Sequence, residues 1–154
     1  MTSAHAVYSG DKLYFVGESY LRNSNTESMA THLKERYPHK ALRACPDMTG
    51  IKRTTNATLN QSDISILKGA GFSIDGTRNP FVRDRLNAVN SALEKGNVLI
   101  MENCPHLIRD LEQVILNEYG EIDKSNPDLT HMSDAAGYLI YKYFPLRDKV
   151  LWLK

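Results

Sequence analysis

Apolar residues in this chain switch repeatedly between the alternation of a strand and the three-to-four-residue spacing of an amphipathic helix. The β-rich runs AHAVY (4–8) and KLYFVGESYL (12–21) flank a Ser-Gly-Asp turn and predict a β-hairpin. Shorter strands are predicted at KALRACPD (40–47), FSIDG (72–76) and NVLIMEN (97–103).

Five further segments have the apolar stripe and the end signals of helices. They are SNTESMATHLKERYP (24–38), SDISILKGAG (62–71), NPFVRDRLNAVNSALEKG (79–96), HLIRDLEQVILNEYG (106–120) and LTHMSDAAGYLIYKYFP (129–145). In the third, Asn79 is the expected cap and Pro80 the first helical residue. Its expected buried stripe is Val82, Leu86, Val89 and Leu93. Strands that alternate with helices indicate a layered α/β domain.

Composition limits the class of protein. The chain has 154 residues, of which 42% are hydrophobic and 24% charged, so a single globular domain is expected. The formal net charge of +1 excludes a global basic field, and any nucleic-acid patch must be local. Cys45 and Cys104 lack CxxC spacing, which favours reduced thiols in a cytosolic protein. Neither a signal peptide nor a transmembrane run is recognisable.

The last helix carries His131 and Asp134 one turn apart near its start, so the two side chains share a face. Thr130 or Asp128 is the expected cap. Imidazole nitrogen and carboxylate oxygen are both metal ligands, and a histidine beside a carboxylate can act as a general base. The alternative is that Asp134 favours the positive end of the helix and His131 is solvated.

Two more acids follow predicted strands. Asp47 lies just past the strand that ends at Pro46, where sites gather in open α/β sheets; the alternative is a turn aspartate that bonds its own backbone. Glu18 also lies near a strand end, or is a solvated edge carboxylate. Acids from separate segments that meet at a helix start would suit Mg²⁺ or Mn²⁺.

Basic residues give a weaker signal. Lys52 and Arg53 follow Asp47 in a polar loop and are either phosphate contacts of DNA or solvated. Arg83 and Arg85 flank an aspartate, which favours surface ion pairs over DNA binding.

Four of these segments, in this order, resemble the nuclease domain of tailed-bacteriophage terminase large subunits. They are PDMTG with the basic loop after it, SDISILKGAGF, NPFVRDRLNAVNSALEKG and LTHMSDAAGYLIYKYFP, and the resemblance extends from Tyr8 to Pro145. It implies an RNase H-like fold of the resolvase/integrase kind, with a mixed sheet flanked by helices. It also implies metal-dependent cleavage of concatemeric double-stranded DNA during genome packaging in the bacterial cytoplasm. Implied partners are the terminase ATPase domain, the small terminase subunit and the portal.

The resemblance also implies roles for single residues. Asp47 matches the second catalytic carboxylate of the family, Asp134 the last one, and His131 a histidine that accompanies it. Glu18 matches an acidic residue at the end of the third strand. In a complete site these groups would bind two Mg²⁺ or Mn²⁺ ions.

One part of the family pattern is missing. The family's first strand carries a catalytic Asp before the region that matches MTSAHAVYSG, but in this chain no Asp precedes Asp11. The G-x-x-x-x-G-K-[ST] loop of the ATPase half is also missing. We expect an N-terminally truncated domain: an incomplete gene product such as a prophage remnant, a wrong start, or one piece of a split terminase. The chain alone is then a weak nuclease, or an inactive DNA-binding or docking fragment. A cellular RNase H-like nuclease unrelated to packaging is a third interpretation.

Overall fold

The computed structural model describes residues 1–48, 62–76, 78–126 and 128–146. Within these ranges, strands and helices follow one another in the predicted order. They are β1 (Thr2–Ser9), β2 (Lys12–Tyr20), α1 (Thr26–Arg36), β3 (Arg43–Ala44), α2 (Asp63–Gly69), β4 (Ser73–Ile74), α3 (Val82–Glu94), β5 (Val98–Ile100), α4 (Pro105–Gln113) and α5 (His131–Tyr143). Lys52 and Arg53 lie outside the described residues. No helix in these ranges is long and apolar enough to cross a membrane.

The strands form two small sheets. β1 and β2 are the predicted antiparallel hairpin, and β5 pairs in parallel with the other side of β2. The hairpin turn uses Gly10 and Asp11 at positive φ angles of 56° and 60°, which suits the twist of a two-residue connection. β3 and β4 form a separate parallel pair.

Helix α5 links the two sheets. It packs against β1, α3 and α4, and contributes Met132, Ala136 and Ile140 to the main core. Towards the second sheet, the Cys45 thiol donates to the carbonyl of Tyr138 at 3.8 Å. The position of α5 therefore fixes the geometry between β1 and β3.

A buried carboxylate on β2 holds the start of α4. Glu18 is 9% exposed and accepts from the backbone N–H groups of His106 and Leu107, both at 2.9 Å. The Nδ1 atom of His106 lies 2.6 Å from the same carboxylate. These bonds satisfy amides that a helix leaves unpaired at its first turn.

The start of α5 is held in the same way by Asp110 of α4. Asp110 is fully buried, and it accepts from the backbone N–H groups of Met132 at 2.9 Å and Ser133 at 3.2 Å. The expected cap, Thr130, occupies the N-cap position in a left-handed conformation (φ 80°) and makes no capping bond with its side chain. A residue about 20 positions earlier thus replaces the local cap, because its buried charge needs those donors.

Helix α3 differs from the prediction in its start and its buried face. It begins at Val82, because the side chain of Asn79 binds residues near β3 instead of capping the helix. Its buried residues are Arg85, Ala88, Val89 and Ala92, whereas Val82 is 50% and Leu93 37% exposed.

Helix α4 ends earlier than the sequence predicts. It stops at Gln113, and Val114 is already extended. The remaining predicted segment forms a turn in which the side chain of Asn117 accepts from the backbone of Tyr119 and Glu121. This turn brings Leu116 beside Ile122 in an isolated bridge.

The substitution Asp110→Ala should destabilise the fold by about 2–4 kcal/mol, since it removes a buried charge and leaves two helix amides unpaired. Urea unfolding followed by circular dichroism measures the loss. Glu112→Ala, on the exposed side of the same helix, is the matched control and should stay within about 0.5 kcal/mol of the parent. A loss below about 1 kcal/mol for Asp110→Ala would contradict the capping role.

Stability should fall as the pH drops from about 6.5 to about 4 because of His5. Burial, together with the charges of Arg36 and His32, lowers the pKa of His5 from 6.5 to about 4, while Glu18 opposes them. The unfolded chain therefore binds a proton in this window that the folded chain does not, so the contribution of His5 is complete above pH 6.5 and is lost on acidification. Urea unfolding at several pH values should show a smaller loss for His5→Gln than for the parent; equal losses would refute this.

Candidate active site

The centre of the candidate site is a buried ion pair between α3 and α5. The Nη2 atom of Arg85 lies 2.5 Å from the Oδ1 atom of Asp134, and Nη1 donates to the backbone carbonyl of Asp134 at 3.4 Å. The side chain of Arg85 is 7% exposed and that of Asp134 is 28% exposed. The expectation that Arg85 forms surface ion pairs is therefore wrong: it lies on the buried face of α3 and faces a predicted site residue.

Two residues of α5 shape the space around Arg85. The guanidinium group lies 4.6 Å from the ring centroid of Tyr138, which is a cation–π distance. Gly137 leaves room for the stem of the arginine, because a Cβ atom there would lie 3.1 Å from the Cδ atom of Arg85. A methyl group at position 137 would push the guanidinium away from Asp134.

Asp47 joins this cluster from the end of β3. Asn79 donates to its Oδ1 atom at 2.7 Å, and the backbone N–H of Met48 donates to Asn79 at 2.8 Å. The carboxylate of Asp47 is near enough to Tyr138 to affect its hydroxyl, and Cys45, two residues earlier, donates to the backbone carbonyl of Tyr138. Burial raises the pKa of Tyr138, and the charges of Asp47 and Asp134 add to the rise while Arg85 opposes it. Asp47 and Asp134 therefore both lie beside Tyr138.

His131 lies at the edge of this cluster. It is the first residue of α5 and is exposed, and its backbone carbonyl accepts from the hydroxyl of Thr2 at 3.2 Å. Its side chain lines a cleft with Tyr20, Arg22 and Asp128. Although His131 and Asp134 share a helix face, no contact joins their side chains within the described part of the chain.

Glu18 is not part of this cluster. Its two carboxylate oxygens accept from the first turn of α4, and its side chain is 6% exposed. This geometry gives the acid near the end of β2 a structural role at the start of α4. The role of Glu18 as a metal ligand stays a prediction.

The donor set fits a divalent ion in part. Asp47 and Asp134 provide hard carboxylate oxygens, and Mg²⁺ often binds one or two carboxylates while it keeps several waters. Among residues 1–48, 62–76, 78–126 and 128–146, no group of three or more His, Cys, Asp or Glu side chains converges on one point. The described residues thus offer two carboxylates at this position, and the binding of one ion or of two stays a prediction.

Sequence reasoning did not assign Asn79, Arg85 and Tyr138 to the site. A signal for Tyr138 was present, since it follows Asp134 by four residues and so shares its face. The signal for Arg85 was its position three and four residues before Ala88 and Val89, which turn out to be buried. Asn79 had no such signal, because its side-chain oxygen, which would cap a helix, accepts instead from the distant backbone N–H of Met48.

The chain matches no protein-family model and no curated protein. It is similar in structure to the large terminase of a thermophilic bacteriophage, with a TM-score of 0.66 and 18% identity over 91% of this chain. The same phage protein in complex with ATP-gamma-S gives a TM-score of 0.68 at 18% identity. The P22 large terminase nuclease domain gives a TM-score of 0.61 with 15% identity over 87% of this chain.

These similarities confirm the expected fold class. The chain has the mixed α/β fold that it shares with the nuclease domain of the P22 large terminase, of which it covers 69%. It spans only 36% of the length of the thermophilic phage's large terminase. At 15–18% identity the shared feature is the fold.

Arg85 and Asp134 should be coupled by about 1–3 kcal/mol in a double-mutant cycle, because the pair is largely buried and hydrogen-bonded. The cycle compares the free energies of unfolding of Arg85→Met, Asp134→Asn, the double variant and the parent. The more exposed pair Lys142 and Asp75, also 2.5 Å apart, is the matched control and should give less than about 1 kcal/mol. Equal coupling in both pairs would mean that burial adds nothing to the Arg85–Asp134 interaction.

Proposed function

We propose that this chain is a DNA endonuclease domain of the terminase kind, which uses a divalent ion to hydrolyse phosphodiester bonds of double-stranded DNA. The observation that carries the proposal is the meeting of Asp47 and Asp134 beside Tyr138. One acid follows a strand and the other starts a helix, and they come from segments 87 positions apart. The shared fold with terminase nuclease domains supports the same class.

Asp47 and Asp134 are the residues that would hold Mg²⁺ or Mn²⁺. When bound, such an ion supplies Lewis-acid stabilisation of the developing charge and lowers the pKa of a bound water. The second carboxylate oxygen of Asp134 is the one that would face it, because Arg85 occupies Oδ1.

The other residues of the cluster orient these two acids. Arg85 holds the carboxylate of Asp134 through Nη2 and its backbone carbonyl through Nη1, and Asn79 holds the carboxylate of Asp47. Orientation of this kind matters because catalysis falls steeply when a ligand moves by about 1 Å. His131, one turn before Asp134, is proposed as a proton-transfer group, since its imidazole is exposed and can both accept and donate a proton.

The wider setting belongs to the same proposal. The substrate would be concatemeric phage DNA, and the partners would be the terminase ATPase domain, the small terminase subunit and the portal. The support is the similarity to the thermophilic phage's large terminase, a chain more than twice as long as this one.

A second candidate is a non-catalytic DNA-binding or docking domain. The ion pair favours it, because Arg85 already compensates the charge of Asp134. Two carboxylates and one guanidinium leave a single net negative charge to attract an ion, which lowers the expected affinity for a divalent metal.

Plasmid cleavage separates the two candidates. The purified chain is incubated with Mn²⁺ or with EDTA, beside Asp47→Asn and Asp134→Asn. Glu94→Gln, at the exposed end of α3, is the matched loss of charge outside the site. An endonuclease should nick plasmid only with metal, and each Asp variant should lose at least about 100-fold in rate, as expected for a lost metal ligand.

The folded state of each variant is checked by thermal unfolding. Metal-dependent cleavage that both Asp variants lose and Glu94→Gln keeps would establish the endonuclease. A folded parent that binds DNA without cutting it would reject the endonuclease in favour of the second candidate. Cleavage that persists in Asp134→Asn would show that the reaction does not use this cluster.

A further inference from the structure

A second polar feature lies beside the candidate site at the start of α5. We call it the Arg22 cleft, a cavity of about 290 Å³ lined by Tyr20, Arg22, His106, Arg109 and Asp128. It shares three of these residues with an adjoining cavity of about 510 Å³, which adds His131 among its lining residues. The two cavities therefore form one depression, and neither Asp47 nor Asp134 lines it.

The cationic groups of the Arg22 cleft are open to a ligand. Arg22 is exposed and makes no ion pair or hydrogen bond with its side chain among the described residues. Arg109 uses Nη2 to bind Asp110 and the carbonyl of Asp128, but its Nε atom is buried and has no partner in the described part of the chain. An unpaired buried donor of this kind is costly unless an acceptor reaches it.

The negative charges near the cleft are mostly already neutralised. Glu18 and Asp110 lie behind it, with side chains 6% and 1% exposed, and each accepts from the first turn of a helix. Asp128 is the exposed acid of the lining. The cleft is thus lined by the guanidinium groups of Arg22 and Arg109 and by the ring of His106, with Asp128 as its exposed carboxylate.

Two contacts fix the position of the His106 ring in the lining of the cleft. Its Nδ1 atom is 2.6 Å from Glu18, and its ring is stacked on Tyr20 at 5.0 Å between centroids. The contact with Glu18 occupies Nδ1, so the other ring nitrogen is the one left for a ligand. The side chain is 42% exposed, which leaves that second nitrogen accessible from the cleft.

We infer that the Arg22 cleft binds a phosphate group of a DNA strand, with Arg22 and Arg109 as donors. Guanidinium groups match phosphate oxygens with paired hydrogen bonds. The inference deepens the proposed function, since it says where a strand lies relative to Asp134, and it rests on that proposal for the identity of the ligand. DNA binding is measured without metal, so a chain that does not cut DNA still tests it.

The experiment measures binding of a short fluorescein-labelled DNA duplex by anisotropy in EDTA, at several KCl concentrations. Arg22→Glu should weaken binding at least about tenfold and reduce the slope of log K against log salt by about one, as for a lost phosphate contact. Arg22→Lys should retain binding within about threefold, because it keeps the charge. Asp128→Asn should strengthen binding, since it removes the exposed repulsive charge.

Lys95→Glu is the matched control for the change of charge. Lys95 is exposed just after α3 and lies close to the start of β5, which pairs with β2 at Leu13. Tyr20, which lines the Arg22 cleft, is at the other end of β2. The separation along β2 is about 23 Å, beyond the screening length at physiological salt. This variant should bind DNA within about twofold of the parent.

Three results together support the inference: weaker binding in Arg22→Glu, normal binding in Lys95→Glu and stronger binding in Asp128→Asn. If Arg22→Glu and Lys95→Glu weaken DNA binding equally, the effect comes from net charge and the inference of a specific phosphate site is overturned. A parallel titration with inorganic phosphate is followed by NMR. If phosphate shifts the His106 signals while the Arg22 variants bind DNA as the parent does, the cleft binds free phosphate and the inference of a DNA strand is overturned. A parent that binds neither probe overturns the site itself.

Discussion

The buried carboxylate of Asp110 determines where α5 begins, and the candidate site depends on that position. A fully buried charge needs donors, and amides in the first turn of α5 supply them. Glu18 does the same for α4, which carries Asp110. The chain of bonds therefore runs from β2 through α4 to α5. A shift of β2 or α4 would move the helix start, and with it Asp134, Tyr138 and His131.

The second constraint is the charge balance at Asp134. An arginine and a divalent ion satisfy the same carboxylate in different ways, since the arginine donates along fixed directions and the ion attracts from any side. Because Arg85 is nearly fully buried, it cannot leave its partner without exposing an unpaired charge to a low-dielectric environment. An ion at this site must therefore bind the remaining oxygens with Arg85 in place. The same ion pair is therefore compatible with two interpretations. In the catalytic one an ion binds beside Arg85, and in the non-catalytic one Arg85 alone compensates the charge of Asp134.

The elements that were predicted correctly from the sequence are those set by local pattern. The β1–β2 hairpin and the order of the strands and helices follow from nearby residues alone. The wrong predictions concern ends that distant residues decide. Asp110, and not Thr130, caps the start of α5. Asn79 binds Asp47 and Met48 instead of capping α3. Caps of this kind are visible only when the packing of α4 and β3 is known.

The candidate site divides in the same way. Asp47 and Asp134 were selected through the family resemblance, and the structure places both near Tyr138, while their role in a site stays a prediction. Local pattern could not reveal that a buried Arg85 would pair with Asp134, since periodicity placed Val82, Leu86 and Leu93 on the buried face. The rotation of α3 that buries Arg85 is a tertiary effect, because Gly137 and Tyr138 on α5 provide the space and the aromatic surface for a guanidinium.

If the Arg22 cleft binds a phosphate as proposed, the strand would lie near Asp134, because the adjoining cavity is lined by His131, the first residue of the helix that carries Asp134. His131 and Asp134 are three residues apart on α5, a rise of about 4.5 Å along the helix. Successive phosphates of one strand advance by about 3.4 Å along the duplex axis. The step from one phosphate to the next is thus similar in size to the step from His131 to Asp134 along the helix axis, as a strand that passes both would require. Because Asp110 fixes the first turn of α5 and Arg109 lines the cleft, one short segment of α4 sets both the binding surface and the acid that it serves.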